Sequence, residues 1–138
     1  MLFRSHSESK QGKDASKLCG LDSETGVLAT NDVDALLALN ADVVVYTVKA
    51  ETRPHEVIPE LERILASGAN VASTSMIYLI YPPFSKAMGE PLEKACAQGK
   101  ATFVVCGIDP GFSGEVVPLA VRQVSDQVEE IRVQERCD

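Results

Sequence analysis

The stretch Ala41–Ser75, ADVVVYTVKAETRPHEVIPELERILASGANVASTS, decides the fold. Asp42-Val43-Val44-Val45-Tyr46 is a short apolar run rich in β-branched residues. It lacks the alternation of a half-wet strand, so it reads as a strand buried on both faces. A polar loop follows, and then Val57, Leu61, Ile64 and Leu65 recur at helical spacing. Pro54 and Pro59 are expected before or within the first turn of that helix, where a missing N–H does no damage. Gly68 supplies the left-handed residue that stops it. Asn70-Val71-Ala72-Ser73 reads as the next strand. Strand, helix and strand at this spacing predict a right-handed crossover between parallel strands. Thr47 then follows the first strand, and Ser73, Thr74 and Ser75 end the second. Open parallel sheets bind ligands beyond the carboxyl ends of their strands, which makes these polar residues the first site candidates.

Upstream, Met1–Thr25 is polar, carries Lys10, Lys13 and Lys17, and reads as loop with a turn of helix at Asp14–Leu18. Leu2-Phe3 is a possible strand stub too short to establish one. Val27–Thr30 is a short strand, and Asn31 or Asp32 caps a helix with apolar positions Val33, Leu36, Leu37 and Leu39. Downstream, Met76–Pro83 is an unusually apolar loop that either lines a pocket or packs under the next helix. Ser85–Gln98 reads as a helix through Met88, Leu92 and Cys96, stopped by Gly99. Thr102–Cys106 is a further buried strand. Gly107–Gly114 leads into a helix over Glu115–Val124, and Ile131 and Val133 alternate with charged residues as a half-exposed strand would. The order is β-α-β-α-β-α-β-α-β, an α/β fold, and the change of strand character at the end predicts entry into a second domain.

Composition narrows the function classes. The 138 residues make one domain by size, and the net charge of −7 disfavours non-specific nucleic-acid binding. A single basic pocket for a phosphorylated ligand is compatible with that charge. No apolar run approaches a membrane span and the amino terminus has no secretory apolar region, so a cytoplasmic location is the expectation. Cys19, Cys96, Cys106 and Cys137 show no CxxC pattern and are expected as reduced thiols. With only His6 and His55 besides them, no metal site is expected.

The chain resembles the dihydrodipicolinate-reductase-like NAD(P)-dependent oxidoreductases, in the branch that holds 2,4-diaminopentanoate dehydrogenase and the native amine dehydrogenases. The resemblance is carried by Asp42–Thr47 (DVVVYT), Leu65–Ser75 (LASGANVASTS), Tyr81-Pro82 and, most specifically, Gly107–Leu119 (GIDPGFSGEVVPL). It implies a Rossmann-type parallel sheet and a nicotinamide cofactor, NADP or NAD. The turn at Tyr46 and Thr47 and the loop Ser73-Thr74-Ser75 would then face the nicotinamide side. Asp109–Ser113, with Asp109, Gly111 and Phe112, would close over it and lead to a substrate domain. The resemblance further implies a small-molecule substrate with an imine or carbonyl-type carbon, and a homo-oligomer for the full-length protein.

Two departures from that family pattern set further expectations. The GxGxxG loop between first strand and first helix, which seats the pyrophosphate, is absent. In the strand order 3-2-1-4-5-6, the missing first strand would lie between the second and the fourth. The chain is therefore expected to be an internal, inactive fragment. Residues 1–112 would form an incomplete NAD(P)-binding domain, and residues 113–138 a linker helix and the first strand of a truncated substrate domain. Where amine-dehydrogenase relatives carry a glutamate after the fifth strand, this sequence has Met76, Ile77 and Tyr78. Tyr78 is either a proton donor or a packed tyrosine, Asp109 either orients a ligand or makes a turn before Pro-Gly, and Glu51 and His55 read as a solvated loop. Lys10 and Lys13 fit either an NADP 2′-phosphate or plain solvation. No residue is assigned as catalytic. The alternative is a non-enzymatic half-Rossmann module that binds or oligomerises through its open sheet edge.

Overall fold

The computed structural model describes residues 2–50, 52–76, 79, 86–134 and 136. Two compact units emerge, Met1–Ala41 and Asp42–Asp138. The first contains β1 (Leu2–Arg4), a 3-10 turn at Glu8–Lys10, α1 (Ala15–Cys19), β2 (Leu28–Thr30) and α2 (Val33–Leu37). β1 and β2 are parallel, with Leu2 opposite Leu28 and Arg4 opposite Thr30. The strand stub at Leu2-Phe3 is thus a strand, fixed by its pairing rather than by its own length. The other edge of β2 is covered by the segment before α1. Gly12 N–H donates to Ala29 O, Ala29 N–H to Lys13 O, and Ala15 N–H to Val27 O. Asp14 caps α1 and Asp32 caps α2, each carboxylate accepting a backbone N–H of the first turn.

The second unit contains β3 (Val43–Tyr46), α3 (Pro54–Ala66), β4 (Asn70–Ser73), α4 (Lys86–Gly99), β5 (Phe103–Val105), a π-helical turn at Ile108–Val116 and α5 (Val117–Arg122). Its sheet is parallel in the order β3-β4-β5. Val44 stands opposite Val71, and Val71 opposite Phe103. At the amino ends, Asn70 ties all three strands: its side-chain amide donates to Asp42 O at 3.0 Å and accepts from Thr102 N–H at 2.9 Å. The buried positions of α3 are Val57, Leu61, Ile64 and Leu65, the stripe expected from periodicity. α3 packs on α4, which contributes Leu92 and Ala95 to the core.

Each unit holds a parallel sheet, of two strands in the first and three in the second, among the described residues. This is a partial Rossmann-like α/β fold.

Four expectations about local structure need correction. Pro59 lies inside α3, five residues after Pro54 opens it, so it removes a bond to the His55 carbonyl. Asp42–Tyr46 is not buried on both faces: Val45 is 73% exposed and Val43 is exposed too. The even positions of β3 turn toward the helices, whereas Val43, Val45, Ala72 and Val104 share the other face. The helix expected over Glu115–Val124 is shorter, because the wide turn at Ile108–Val116 takes its first residues. No strand forms at Ile131–Val133, where no partner strand pairs with it among the described residues. Ile77, Tyr78, Tyr81, Pro82, Glu51 and Cys137 lie outside the described residues.

Candidate functional site

In the second unit, the order β3-β4-β5 sets three carboxyl-end loops side by side. Tyr46 ends β3 with its side chain on the helix-covered face, only 4% exposed. Its hydroxyl donates to Glu60 Oε2 on α3 at 3.3 Å. The Tyr46 carbonyl accepts from Thr74 N–H at 3.2 Å, and the Ser73 carbonyl from Cys106 N–H at 2.8 Å, so the ladder runs just past the strand ends.

Ser73 and Ser75 are buried and brace the loops. Ser73 Oγ accepts from Ser75 N–H at 3.0 Å and donates to Ser75 O at 3.2 Å. Ser75 Oγ donates to Val48 O, joining the loop after β4 to the loop after β3. Thr47 and Thr74, by contrast, are exposed beyond the ends of these neighbouring strands. Of the polar residues expected here, the structure therefore presents Thr47 and Thr74 outward and uses Tyr46, Ser73 and Ser75 as support. Met76 follows with φ of +64°, a left-handed backbone unusual outside glycine, and a fully buried side chain. The apolar loop thus begins by packing inward at Met76.

After β5, Gly107 opens the wide turn. Gly111 has φ of +131°, open to glycine and strained for other residues, and its N–H donates to Glu115 Oε2 at 2.5 Å. Phe112 N–H donates to Gly107 O at 2.9 Å, and Ser113 Oγ to Ile108 O at 2.8 Å. The N–H groups of Gly111 and Phe112 are therefore engaged within the turn. Asp109 is exposed, and the Phe112 ring is 58% exposed. A Cβ on Gly114 would stand 3.4 Å from Asp109 Oδ1, so the glycine leaves that carboxylate its room. The exposed thiol of Cys106 lies at the same end of β5, a position that only the strand boundary makes visible.

The first unit has its own carboxyl end. Arg4, the last residue of β1, donates through Nη1 to Asn31 O at 2.9 Å and lies 3.5 Å through Nη2 from His6 Nδ1. Ser7 N–H donates to Ser5 Oγ at 3.3 Å, and the hydroxyls of Ser7 and Ser9 are 2.8 Å apart. Lys10 and Lys13 are exposed beside this loop in sequence. Asp14 is buried and accepts from the Ser16 hydroxyl, Ser16 N–H, the Thr25 hydroxyl, Thr25 N–H and Gly26 N–H. These donors, the Ser16 hydroxyl foremost, hold its carboxyl well below the usual carboxylate range.

A cavity of about 330 Å³ beside β5 is lined by Leu79, Gly89, Leu92, Glu93, Cys96 and Phe103. Burial there pushes the Cys96 thiol up from its ordinary value. Among the described residues, no helix is long and apolar enough to cross a membrane.

No family profile matches the chain. An amine dehydrogenase from Streptomyces virginiae is 34% identical over 138 residues, an alignment that takes in 96% of this chain and 37% of that enzyme. The solved structure of the amine dehydrogenase from Mycobacterium smegmatis superposes with a TM-score of 0.66 at 19% identity, covering 94% of this chain and 38% of that one. The second likeness supports the fold. The chain spans a little over a third of the length of both proteins, and over nearly all its own length it is similar to amine dehydrogenase-like oxidoreductases.

Proposed function

We propose that this chain is the nicotinamide-binding portion of an NAD(P)-dependent oxidoreductase, of the amine dehydrogenase and dihydrodipicolinate-reductase-like type. The observation that carries the reading is the 34% identity running through 96% of the chain. The row of polar carboxyl-end loops on a parallel sheet agrees with it. The substrate class is a small molecule with an imine or carbonyl-type carbon, and the cofactor is NADP or NAD. When bound, the reduced cofactor supplies a hydride to that carbon, and the attached nitrogen or oxygen takes up a proton. In this reading the Thr47 and Thr74 hydroxyls and the exposed Asp109 orient the nicotinamide carboxamide. Phe112 covers the ring, and Gly111 allows the close turn. Tyr46, Ser73 and Ser75 hold the loops in place from beneath. The residues fit such a group by their exposure and polarity, although the Gly111 and Phe112 N–H groups are already engaged.

The test is oxidation of NADH or NADPH by the oxidoreductase of which this chain is the portion, followed by nicotinamide absorbance, with a ketone or aldehyde plus ammonium and with a preformed cyclic imine. Cofactor consumption with at least one substrate is expected. No consumption with either cofactor sinks the reading. Where turnover is seen, Thr74→Val is expected to lower kcat/KM by roughly tenfold through one lost hydrogen bond.

One observation favours a second reading, a half-Rossmann module that binds or oligomerises without catalysis: Val43 and Val45 are exposed on a strand with an unpaired edge among the described residues. A stable dimer with no affinity for NADH or NADPH would favour it over the enzyme.

A further inference from the structure

We propose that the cavity beside β5 is a binding site for a small hydrophobic cation, an ammonium head carried on an aromatic ring or a short alkyl chain. The site is separate from the carboxyl-end loops: none of Thr47, Thr74, Asp109 or Phe112 lines it. Its wall is built by α4, which contributes Gly89, Leu92, Glu93 and Cys96, together with Phe103 of β5 and Leu79. The volume of about 330 Å³ falls within the range of small-molecule pockets. It is about twice that of an apolar cavity able to take up benzene. Gly89 keeps the space open. It lies inside a helix, where glycine is less stable than alanine, and a Cβ there would meet only Leu79 Cδ2, at an ordinary 3.9 Å. Neither its backbone conformation nor a steric clash asks for glycine, so what the missing side chain leaves is room between α4 and Leu79.

The chemistry of the wall selects the charge. Leu79, Leu92 and Phe103 present apolar surface, and Leu92 is buried. Glu93 is the acid of this lining and is exposed, so its carboxylate meets both the cavity and water. Lys86, earlier on the same helix, is paired with Glu90 at 3.7 Å, and Glu93 has no ion-pair partner among the described residues. Burial foremost, and then the negative charge of Glu93, push the Cys96 thiol up, outweighing a backbone hydrogen bond from Phe103. The thiol is therefore neutral lining and not a second anion. A carboxylate and an aromatic ring both attract positive charge. An anionic ligand would meet repulsion from Glu93, in a chain whose net charge is −7.

Titration of the chain with phenethylammonium, 2-phenylethanol and 3-phenylpropanoate, followed through the methyl signals of Leu79 and Leu92, tests this. Those signals are expected to shift saturably, with the cation bound tightest and the anion weakest. Glu93→Gln should weaken phenethylammonium about threefold, the worth of one solvent-screened ion pair, and leave 2-phenylethanol unchanged. The preference for the cation should shrink as salt rises. Gly89→Leu fills the cavity and should abolish binding of the cation and the alcohol alike. Glu93 is exposed, so its variant tests the site even where Gly89→Leu does not fold. No saturable shift at Leu79 and Leu92, equal binding of cation and anion, or an unaltered cation affinity in Glu93→Gln overturns the proposal.

Discussion

Asp14 illustrates how a single side chain closes a loop. Its carboxylate gathers Ser16, Thr25 and Gly26, residues 2, 11 and 12 positions away, into one hydrogen-bonded node. Because its folded pKa is depressed below the ordinary 3.8, the contribution to stability is complete above that value and disappears as pH falls through the folded pKa. The first unit should therefore lose its order on acidification below the usual carboxylate range, seen in the amide signals of Ser16, Thr25 and Gly26. Asp14→Asn should lower the melting temperature at neutral pH and flatten that acid dependence. The sequence showed Asp14 at the start of a helix, since the cap is local. It did not show Thr25 as a partner, because that contact depends on how the intervening loop closes. Tyr46 teaches a similar lesson. A run of apolar residues does not say which face each one takes, so its burial against Glu60 was not legible. Tyr46→Phe should cost about 0.5–1.5 kcal/mol in denaturant unfolding, by loss of one hydrogen bond.

At the scale of the element, periodicity succeeded where packing follows it directly. All four buried positions of α3 were readable, and β4 kept its expected bounds at Asn70–Ser73. Pro59 was misplaced because tertiary packing extends α3 back to Pro54, so the helix carries an interior proline. Pro59→Ala restores an N–H for the His55 carbonyl and is expected to stabilise the second unit by about 1 kcal/mol or more, measured by thermal melting. Asn70 acts on three strands at once. Asn70→Ala should cost about 1–2 kcal/mol and loosen the amino ends of β3 and β5 together, read by amide exchange at Asn70 and Thr102.

For the whole molecule, the continuous apolar run in β3 anticipated a strand covered on both sides, the usual state of a parallel sheet. Helices cover one face, while Val43, Val45 and Val104 remain open on the other. The run was misread on this point: β3 is an edge strand of the described sheet, and a continuous apolar run does not say which face is covered. The candidate loops were legible as a group for a different reason: strand order alone brings them side by side. Which hydroxyls face outward was not, because Ser73 and Ser75 turn back on the loops they brace. An open apolar face next to an unpaired edge favours association. Val45→Lys should therefore leave stability within about 0.5 kcal/mol while shifting sedimentation toward the monomer. Unchanged sedimentation would show that this face takes no part in self-association.

The meeting of α3 and α4 carries a consequence for how this chain can vary. At the end of α4, a Cβ on Gly99 would collide with the Leu65 carbonyl and crowd the Gly68 backbone N, both main-chain atoms with no side-chain freedom to yield. Gly68 itself sits at φ of +98°. Neither position can drift by neutral exchange, and no compensating change at a neighbouring side chain opens the space. In a library randomised at both codons and sorted for folded protein, glycine should return at each, for two independent reasons.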